Sequence, residues 1–406
     1  MNEPKNKKTD VETDPKKIEW LLTRGVDKIY PTKEALKQLL LSGKKLRLYQ
    51  GFDPTGDKLH IGHMVGFRKH RQWQDLGHEV IFLVGDGTGQ AGDPSGKSKS
   101  REKFFTAEEL RNNSKSYLAQ ASKIVRFDGP NPIKILYNGD WLNKLRLLDI
   151  LNIAGHFSVQ QLIERDMFQD RMKKGESINL REFLYPLLQG YDSVAMEVDL
   201  ELGGSDQTFN MLTGRTLLKV MKNKEKFVMT MPLLADSKGV KIGKSEGNVI
   251  GLTDEPSDLF GKMMSLSDDT IISVFNLLTD IPQKEIDSFD IKKNPLDLKK
   301  RAAKAVIAQL YSEKEATDAE KSFESTFAKG GVPEAVPEVV VAKGVLFVDV
   351  LLGQNIVSSK SEFRRLVEEG AVANMDNGKK IESPGAQISS GVYKIGKRRF
   401  LKIKVK

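Results

Sequence analysis

His60 and His63 flank Ile61 and Gly62, just past a turn-forming run of Gly51, Asp53, Pro54, Thr55 and Gly56. Imidazoles at a helix start suit a polyphosphate, because the first turn offers backbone N–H groups and a partial positive charge. Gly62 leaves the backbone bare enough for a flat ring such as a purine. A metal reading of the pair has little behind it. The chain has no cysteine, and His70, His78 and His156 do not complete a ligand spacing. Further along, Asp93 sits in a glycine-rich segment followed by Lys97, Lys99 and Arg101. An acid followed by bases suits a zwitterionic substrate lying beside a phosphate. Tyr185, Gln189 and Asp192 are spaced i, i+4, i+7 and share one helix face. Asp206 follows two glycines and could hold ribose hydroxyls. Lys241, Lys244 and Ser245 lie in a glycine-containing loop that could close over phosphates.

The elements that position these residues alternate. Leu46–Gln50 reads as a strand, and the residues from Ile61 read as a helix. Glu79–Val84 is a continuous apolar run of strand length, as in a buried parallel strand. Ala107–Val125 reads as a helix, Ile133–Tyr137 as a strand, and Ser158–Lys173 and Arg181–Met196 as helices. Val198–Leu202 and Phe227–Leu234 read as strands around a helix at Thr208–Lys222. This order predicts a parallel sheet covered on both faces, whose ligands bind beyond the carboxyl ends of the strands. Two familiar patterns in the glycine-rich segment fail. Gly87 to Gly92 matches a dinucleotide fingerprint, but Asp93-Pro94 opens a turn where a helix is required. Gly96-Lys97-Ser98 resembles the end of a phosphate loop, but Ala91 stands where its first glycine belongs.

Strand signals stop after Pro256, and helical segments at 258–264, 269–278, 284–289, 296–311 and 316–327 predict an all-α region. Gly330–Glu338 reads as a linker. Short helices at Phe347–Leu352 and Ser361–Glu368, a strand and turn at Gly370–Gly378, and a basic tail predict a small last module. Phe400–Lys406 alternates as a strand with one basic face, which also fits an edge strand protected by lysines. The 406 residues carry a net charge of +9, which permits a polyanionic partner without establishing one. No run is long and apolar enough for a membrane span, and residues 1–17 lack the features of a signal or transit peptide.

Taken in order, these stretches resemble one family. Tyr49 to Thr55, His60-Ile-Gly-His63, Gly92 to Lys97, Gly203 to Gln207 and Lys241 to Ser245 are similar to the motifs of bacterial tyrosyl-tRNA synthetases, which are class I enzymes. Ser359 to Ala371 is similar to an S4 RNA-binding module. The resemblance spans nearly the whole chain. It implies a doubly wound, Rossmann-like α/β catalytic domain at residues 1–240 and an α-helical anticodon-side domain, with the signature loop, at 241–329. A linker at 330–344 and an α+β S4-like module at 345–406 would follow. It further implies tyrosine activation by ATP, then transfer to the 3′-terminal adenosine of tRNA(Tyr), in a cytoplasmic homodimer whose tRNA bridges the subunits. Mg²⁺ would accompany ATP, with no protein-bound metal and no membrane partner.

By the same resemblance, Tyr49 and Asp192 hydrogen-bond the phenolic hydroxyl. Asp93, Tyr185 and Gln189 hold the ammonium, and Gln207 positions the substrate near its carboxylate. Gly51, Asp53, Gly62 and Asp206 belong to the ATP side, with Asp206 on the ribose. Thr55, His60, His63, Lys97, Arg101, Lys241, Lys244 and Ser245 gather around the departing pyrophosphate. Lys360, Arg364, Arg365, Lys397, Arg398 and Arg399 face RNA. Three departures stand out: Gln50 for a small residue, Ile242-Gly243 in the loop signature, and Thr208-Phe209 after Gln207. Two rivals remain: a tryptophan-specific relative, against which Tyr49 with Asp192 argues because indole only donates, and a catalytically silent RNA-binding relative.

Overall fold

The structure is a computed structural model describing residues 11–95, 104–236, 241–242, 249–325, 336–342, 344–354, 356–357, 359–396 and 399–405. Lys97, Arg101, Lys244, Ser245, Lys397 and Arg398 lie outside the described residues. The chain forms two compact units, Met1–Glu313 and Lys314–Lys406.

The first unit is built on a six-stranded sheet of β1 (Lys28–Tyr30), β2 (Arg47–Phe52), β3 (Glu79–Val84), β4 (Lys134–Tyr137), β5 (Leu200–Gly204) and β6 (Phe227–Met231). Its order is β1-β6-β5-β2-β3-β4, all parallel except β1, which runs antiparallel to β6. From β2 the chain winds outward through β3 to β4. It then returns to β5 on the other side of β2 and winds on to β6. The switch point therefore lies between β2 and β5, where a doubly wound sheet leaves a crevice at its carboxyl edge. Val80 to Val84 are buried throughout, which explains why β3 is apolar at every position but its first.

Helix Ile61–Asp75 follows β2 and begins with a capping box made by histidines. The Gly62 amide donates to His60 Nδ1 at 3.1 Å, and the His60 amide donates to His63 Nδ1 at 3.2 Å. Helix Leu180–Met196 carries the Tyr185–Gln189–Asp192 stripe and packs on helix Thr208–Lys222. The crossing is close because Gly190 meets Gly214: a Cβ on Gly190 would lie 3.2 Å from the Gly214 amide nitrogen and 2.9 Å from Leu217. The predicted helix at Ser158–Lys173 is two helices, Val159–Ile163 and Asp166–Lys173. Buried Arg171 pairs with Glu182 at 2.7 Å and ties the second of them to the stripe helix.

Helices Pro256–Met264, Ile271–Leu278, Gln283–Ile286 and Pro295–Leu310 complete this unit. Two arginines fasten them to the sheet region. Arg24 donates to the carbonyls of Phe275 and Thr279, at 2.7 and 3.2 Å, and Arg68 pairs with Asp280 at 2.5 Å.

In the second unit β7 (Glu338–Val341), β8 (Val372–Asn374), β9 (Gly391–Ile395) and β10 (Arg399–Val405) form a sheet in the order β7-β10-β9-β8. Helices Phe347–Gly353 and Lys360–Glu368 pack on it through Phe347, Leu351 and Phe363 against Tyr393, Ile395 and Leu401. The terminal strand is interior, contrary to the edge-strand alternative. Its basic face is partly neutralised, because Lys402 and Lys404 both reach Glu338, at 2.9 and 2.6 Å. Strand β7 lies within the predicted 330–344 linker, pairs with β10 and was not legible as a strand.

Candidate active site

A cavity of 710 Å³ opens at the carboxyl ends of β2 and β5. Among the residues singled out by sequence, Tyr49, Gly51, Asp53, Thr55, His60, Gly62, His63, Asp93, Tyr185, Gln189, Asp192, Asp206, Gln207 and Lys241 all line it. They come from five segments spread over nearly 200 positions, and the switch point brings them together.

The amino-acid end is buried and dense in hydrogen bonds. Asp192, 1% exposed, accepts from Trp141 Nε1 at 2.8 Å and from Asn138 Nδ2 at 3.0 Å. Burial pushes its carboxyl well above the usual range, the two donors oppose that, and the negative charges of Glu201 and Asp53 reinforce it. Tyr49 is fully buried, and its hydroxyl lies 3.0 Å from Ser193 Oγ. Burial, with Glu201 and Asp192 nearby, keeps its phenol protonated far above the ordinary range. Tyr185 donates to Asp53 Oδ2 at 2.9 Å, and Thr88 donates to Asp53 Oδ1 at 2.7 Å. Asp53 thus sits against the ammonium set, although the sequence placed it on the ATP side. Gln207 donates to Asp93 Oδ2 at 2.8 Å, and the Ser95 amide donates to Asp93 Oδ1 at 2.9 Å. Gln189 donates its Nε2 to Glu201 Oε1 at 3.0 Å.

At the phosphate end the capping box orients both imidazoles. With Nδ1 accepting, the ring hydrogen of each neutral imidazole is assigned to Nε2, a donor suited to phosphate oxygen. Gly62 is required by its neighbour: a Cβ there would lie 2.9 Å from the His60 ring. Lys241 Nζ donates to Asp206 Oδ2 at 2.8 Å. The residues read as ribose ligand and phosphate cation therefore hold each other in this structure. Among the described residues no group of three or more His, Cys, Asp or Glu could hold a metal ion.

Sequence reasoning missed Thr88, Asn138, Trp141, Arg165, Ser193, Glu201 and Lys226. Arg165 donates to Ser95 Oγ at 3.0 Å and lies over the Phe209 ring at 4.8 Å. Burial lowers its guanidinium to about 10, against the pull of Asp93 and Tyr185. Two of the seven left a trace. Glu201 is an acid between Leu200 and Leu202 in a buried strand, and Asn138 is the first residue past the carboxyl end of β4.

The proposed RNA face is less uniform. Arg364 is exposed. Lys360 pairs with Asp349 at 3.2 Å, and Arg365 lies 3.9 Å from Glu369. Arg399 donates to Glu362 Oε1 and to the Ile356 carbonyl, at 2.8 and 2.5 Å, which gives it work inside the module.

The family model described as tRNA synthetases class I (W and Y) matches residues 41–328. The chain belongs to the class I tRNA synthetases (W and Y). Relatives of this synthetase include a tyrosine–tRNA ligase of Dehalococcoides mccartyi, 42% identical over 95% of this chain and 98% of the relative. Another is tyrosine–tRNA ligase 2 of Vibrio vulnificus, also 42% identical, over 95% and 97%. The fold matches a C-terminally truncated mitochondrial tyrosyl-tRNA synthetase of Aspergillus nidulans, with a TM-score of 0.63 at 24% identity, over 77% of this chain and 94% of that one. It also matches the tyrosyl-tRNA synthetase of Archaeoglobus fulgidus complexed with L-tyrosine, with a TM-score of 0.59 at 21% identity, over 76% and 99%. The matches to these solved structures bear on the fold of the synthetase alone.

Proposed function

We propose that this synthetase is a tyrosine–tRNA ligase. The observation that carries the reading is the buried Asp192 carboxylate, fixed by Trp141 and Asn138, lining the same cavity as the Tyr49 hydroxyl. A carboxylate accepts the phenolic hydrogen and a tyrosine hydroxyl complements the phenolic oxygen; indole offers no acceptor to match the second group. Phenylalanine would leave each of these buried groups without the bond it directs at the substrate. Asp93, Tyr185 and Gln189, with Asp53, surround the place for the ammonium.

The substrate carboxylate attacks the α-phosphate of ATP, forming tyrosyl-adenylate and releasing pyrophosphate. No base is needed, because the nucleophile is already an anion. His60 and His63 donate to phosphate oxygens through Nε2, and Thr55 adds a hydroxyl. Lys241 leaves Asp206 to meet the departing pyrophosphate, which also frees the carboxylate for the ribose. Lys97, Arg101, Lys244 and Ser245 add charge and donors there. Mg²⁺ would accompany the ATP phosphates and offset their charge. The tyrosyl group then passes to the 3′-terminal adenosine of tRNA.

Residues 1–240 would carry catalysis, 241–329 the loop and anticodon-side helices, and 345–406 RNA contact led by Arg364. Homodimerisation is supported by an apolar face on helix Leu147–Ala154, where Leu147, Leu148 and Leu151 are 71%, 73% and 56% exposed. The enzyme would work in the cytoplasm, where its substrates are. The test is aminoacylation of total tRNA with labelled tyrosine or tryptophan. Tyrosine should appear as an ester on tRNA; charging by tryptophan alone would support the tryptophan relative, and tRNA binding without charging would support the silent one.

A further inference from the structure

Lys226 and Glu201 form an ion pair enclosed behind the amino-acid end of the cavity, with side chains 0% and 1% exposed. A buried pair of this kind is weak support for stability, since apolar residues of the same volume often serve as well. Its contacts point toward the substrate instead. Lys226 Nζ donates to Ser193 Oγ at 2.7 Å as well as to Glu201 Oε2. Ser193 Oγ in turn lies 3.0 Å from the Tyr49 hydroxyl and 3.4 Å from Glu201 Oε2. Space for this junction comes from Gly214, where a Cβ would lie 2.7 Å from both Lys226 Nζ and Ser193 Oγ.

The junction has a direction. An ammonium group only donates, so Lys226 takes an acceptor position on Ser193. Ser193 has one hydrogen, for which Glu201 Oε2 at 3.4 Å and the Tyr49 oxygen at 3.0 Å compete, and the nearer of the two is Tyr49. Tyr49 then accepts from Ser193, and its own hydrogen goes to a different acceptor, for which the Glu201 carboxylate competes with the substrate. We propose that the Lys226–Glu201 pair, acting through Ser193, positions the Tyr49 hydroxyl to donate to the phenolic oxygen of the substrate, while Asp192 accepts the phenolic hydrogen. This rests on the tyrosine reading above and assigns the polarity of its recognition. Lys226, Glu201 and Ser193 are positioning residues. Glu201 also fixes the neighbouring amide: it takes Gln189 Nε2 at 3.0 Å, which turns Gln189 Oε1 into the acceptor for the substrate ammonium.

Lys226→Met would leave a charged Glu201 enclosed and risks misfolding, so the decisive variant is Ser193→Ala, which keeps the ion pair. Tyrosine-dependent and phenylalanine-dependent ATP–pyrophosphate exchange would be measured on the full chain, with thermal melting alongside. Ser193→Ala should raise the KM for tyrosine by roughly tenfold, as loss of one buried hydrogen bond does, and leave the KM for ATP unchanged. The tyrosine/phenylalanine ratio of kcat/KM should narrow by a similar factor. Adding Ser193→Ala to Tyr49→Phe should narrow that ratio little further, because the two act in series. An unaltered ratio in Ser193→Ala would overturn the proposal. So would equal losses with both amino acids accompanied by a lower Tm, which mark a structural role. Wild-type protein without tyrosine-dependent exchange would instead bring down the tyrosine reading itself, and the proposal with it.

Discussion

Asp192→Asn keeps the shape of the side chain and removes its charge. In the wild type one carboxylate oxygen accepts from Trp141 Nε1 at 2.8 Å and the other from Asn138 Nδ2 at 3.0 Å. A carboxamide can accept on one side only, so its NH₂ faces one of these donors. One buried donor is then left unpaired, which costs about 1–3 kcal/mol of stability. The separate effect on catalysis is loss of a charge-assisted bond to the phenol, worth about 1.5–3 kcal/mol. That corresponds to a fall of roughly 10- to 150-fold in kcat/KM for tyrosine. Phenylalanine has no hydroxyl to lose, so its weak exchange should stay where it is. ATP–pyrophosphate exchange with both amino acids, at a temperature where the variant is folded, measures the two changes together. A parallel fall for tyrosine and phenylalanine would refute the reasoning, because it would make Asp192 a structural residue of the cavity wall.

Four further outcomes are expected. Tyr49→Phe should cost about 1 kcal/mol in tyrosine activation and narrow the tyrosine/phenylalanine gap in the same exchange assay. His70 and His78 are buried neutral, their pKa values lowered by burial to about 3 and about 4 from 6.5, with Lys45 also lowering His78. The unfolded chain therefore binds more protons as pH falls below 6.5, and stability declines toward these lower values. Neither His70 nitrogen has a hydrogen-bond partner among the described residues, so His70→Leu should be near neutral at pH 7.5 and recover about 2 kcal/mol at pH 5 in urea unfolding. Arg364→Glu should weaken tRNA charging, most at low salt, flatten its salt dependence and spare adenylate formation; equal loss of both steps would remove the RNA role. Leu148→Glu should shift the protein toward monomer in sedimentation velocity, and an unchanged species would move the dimer contact elsewhere.

The turns at the carboxyl ends of β2 and β5 were legible because Gly, Asp and Pro punctuate apolar runs there. The helical stripe of Tyr185, Gln189 and Asp192 was legible because polar groups recur at helical spacing. These positions supplied the cavity and its order along the chain. The supports behind them were not legible. Glu201 and Lys226 lie 25 residues apart, and each reads as a stray charge until β5 and β6 are placed side by side. Asn138 and Trp141 reach Asp192 from more than 50 residues away, across the sheet. Strands β1 and β7 have three and four residues, too short for alternation to register, and take their structure from the neighbours they pair with. The basic tail misled in another way: its lysines alternate as an edge strand's would, but Glu338 on β7 answers them.

The central claim is that this cavity selects an amino acid by its phenol. Wild-type ATP–pyrophosphate exchange, run in parallel with each of the twenty amino acids, tests it most directly. The account predicts exchange driven by tyrosine, with phenylalanine and tryptophan far below it. Exchange driven equally by phenylalanine, or by tryptophan in place of tyrosine, would contradict it.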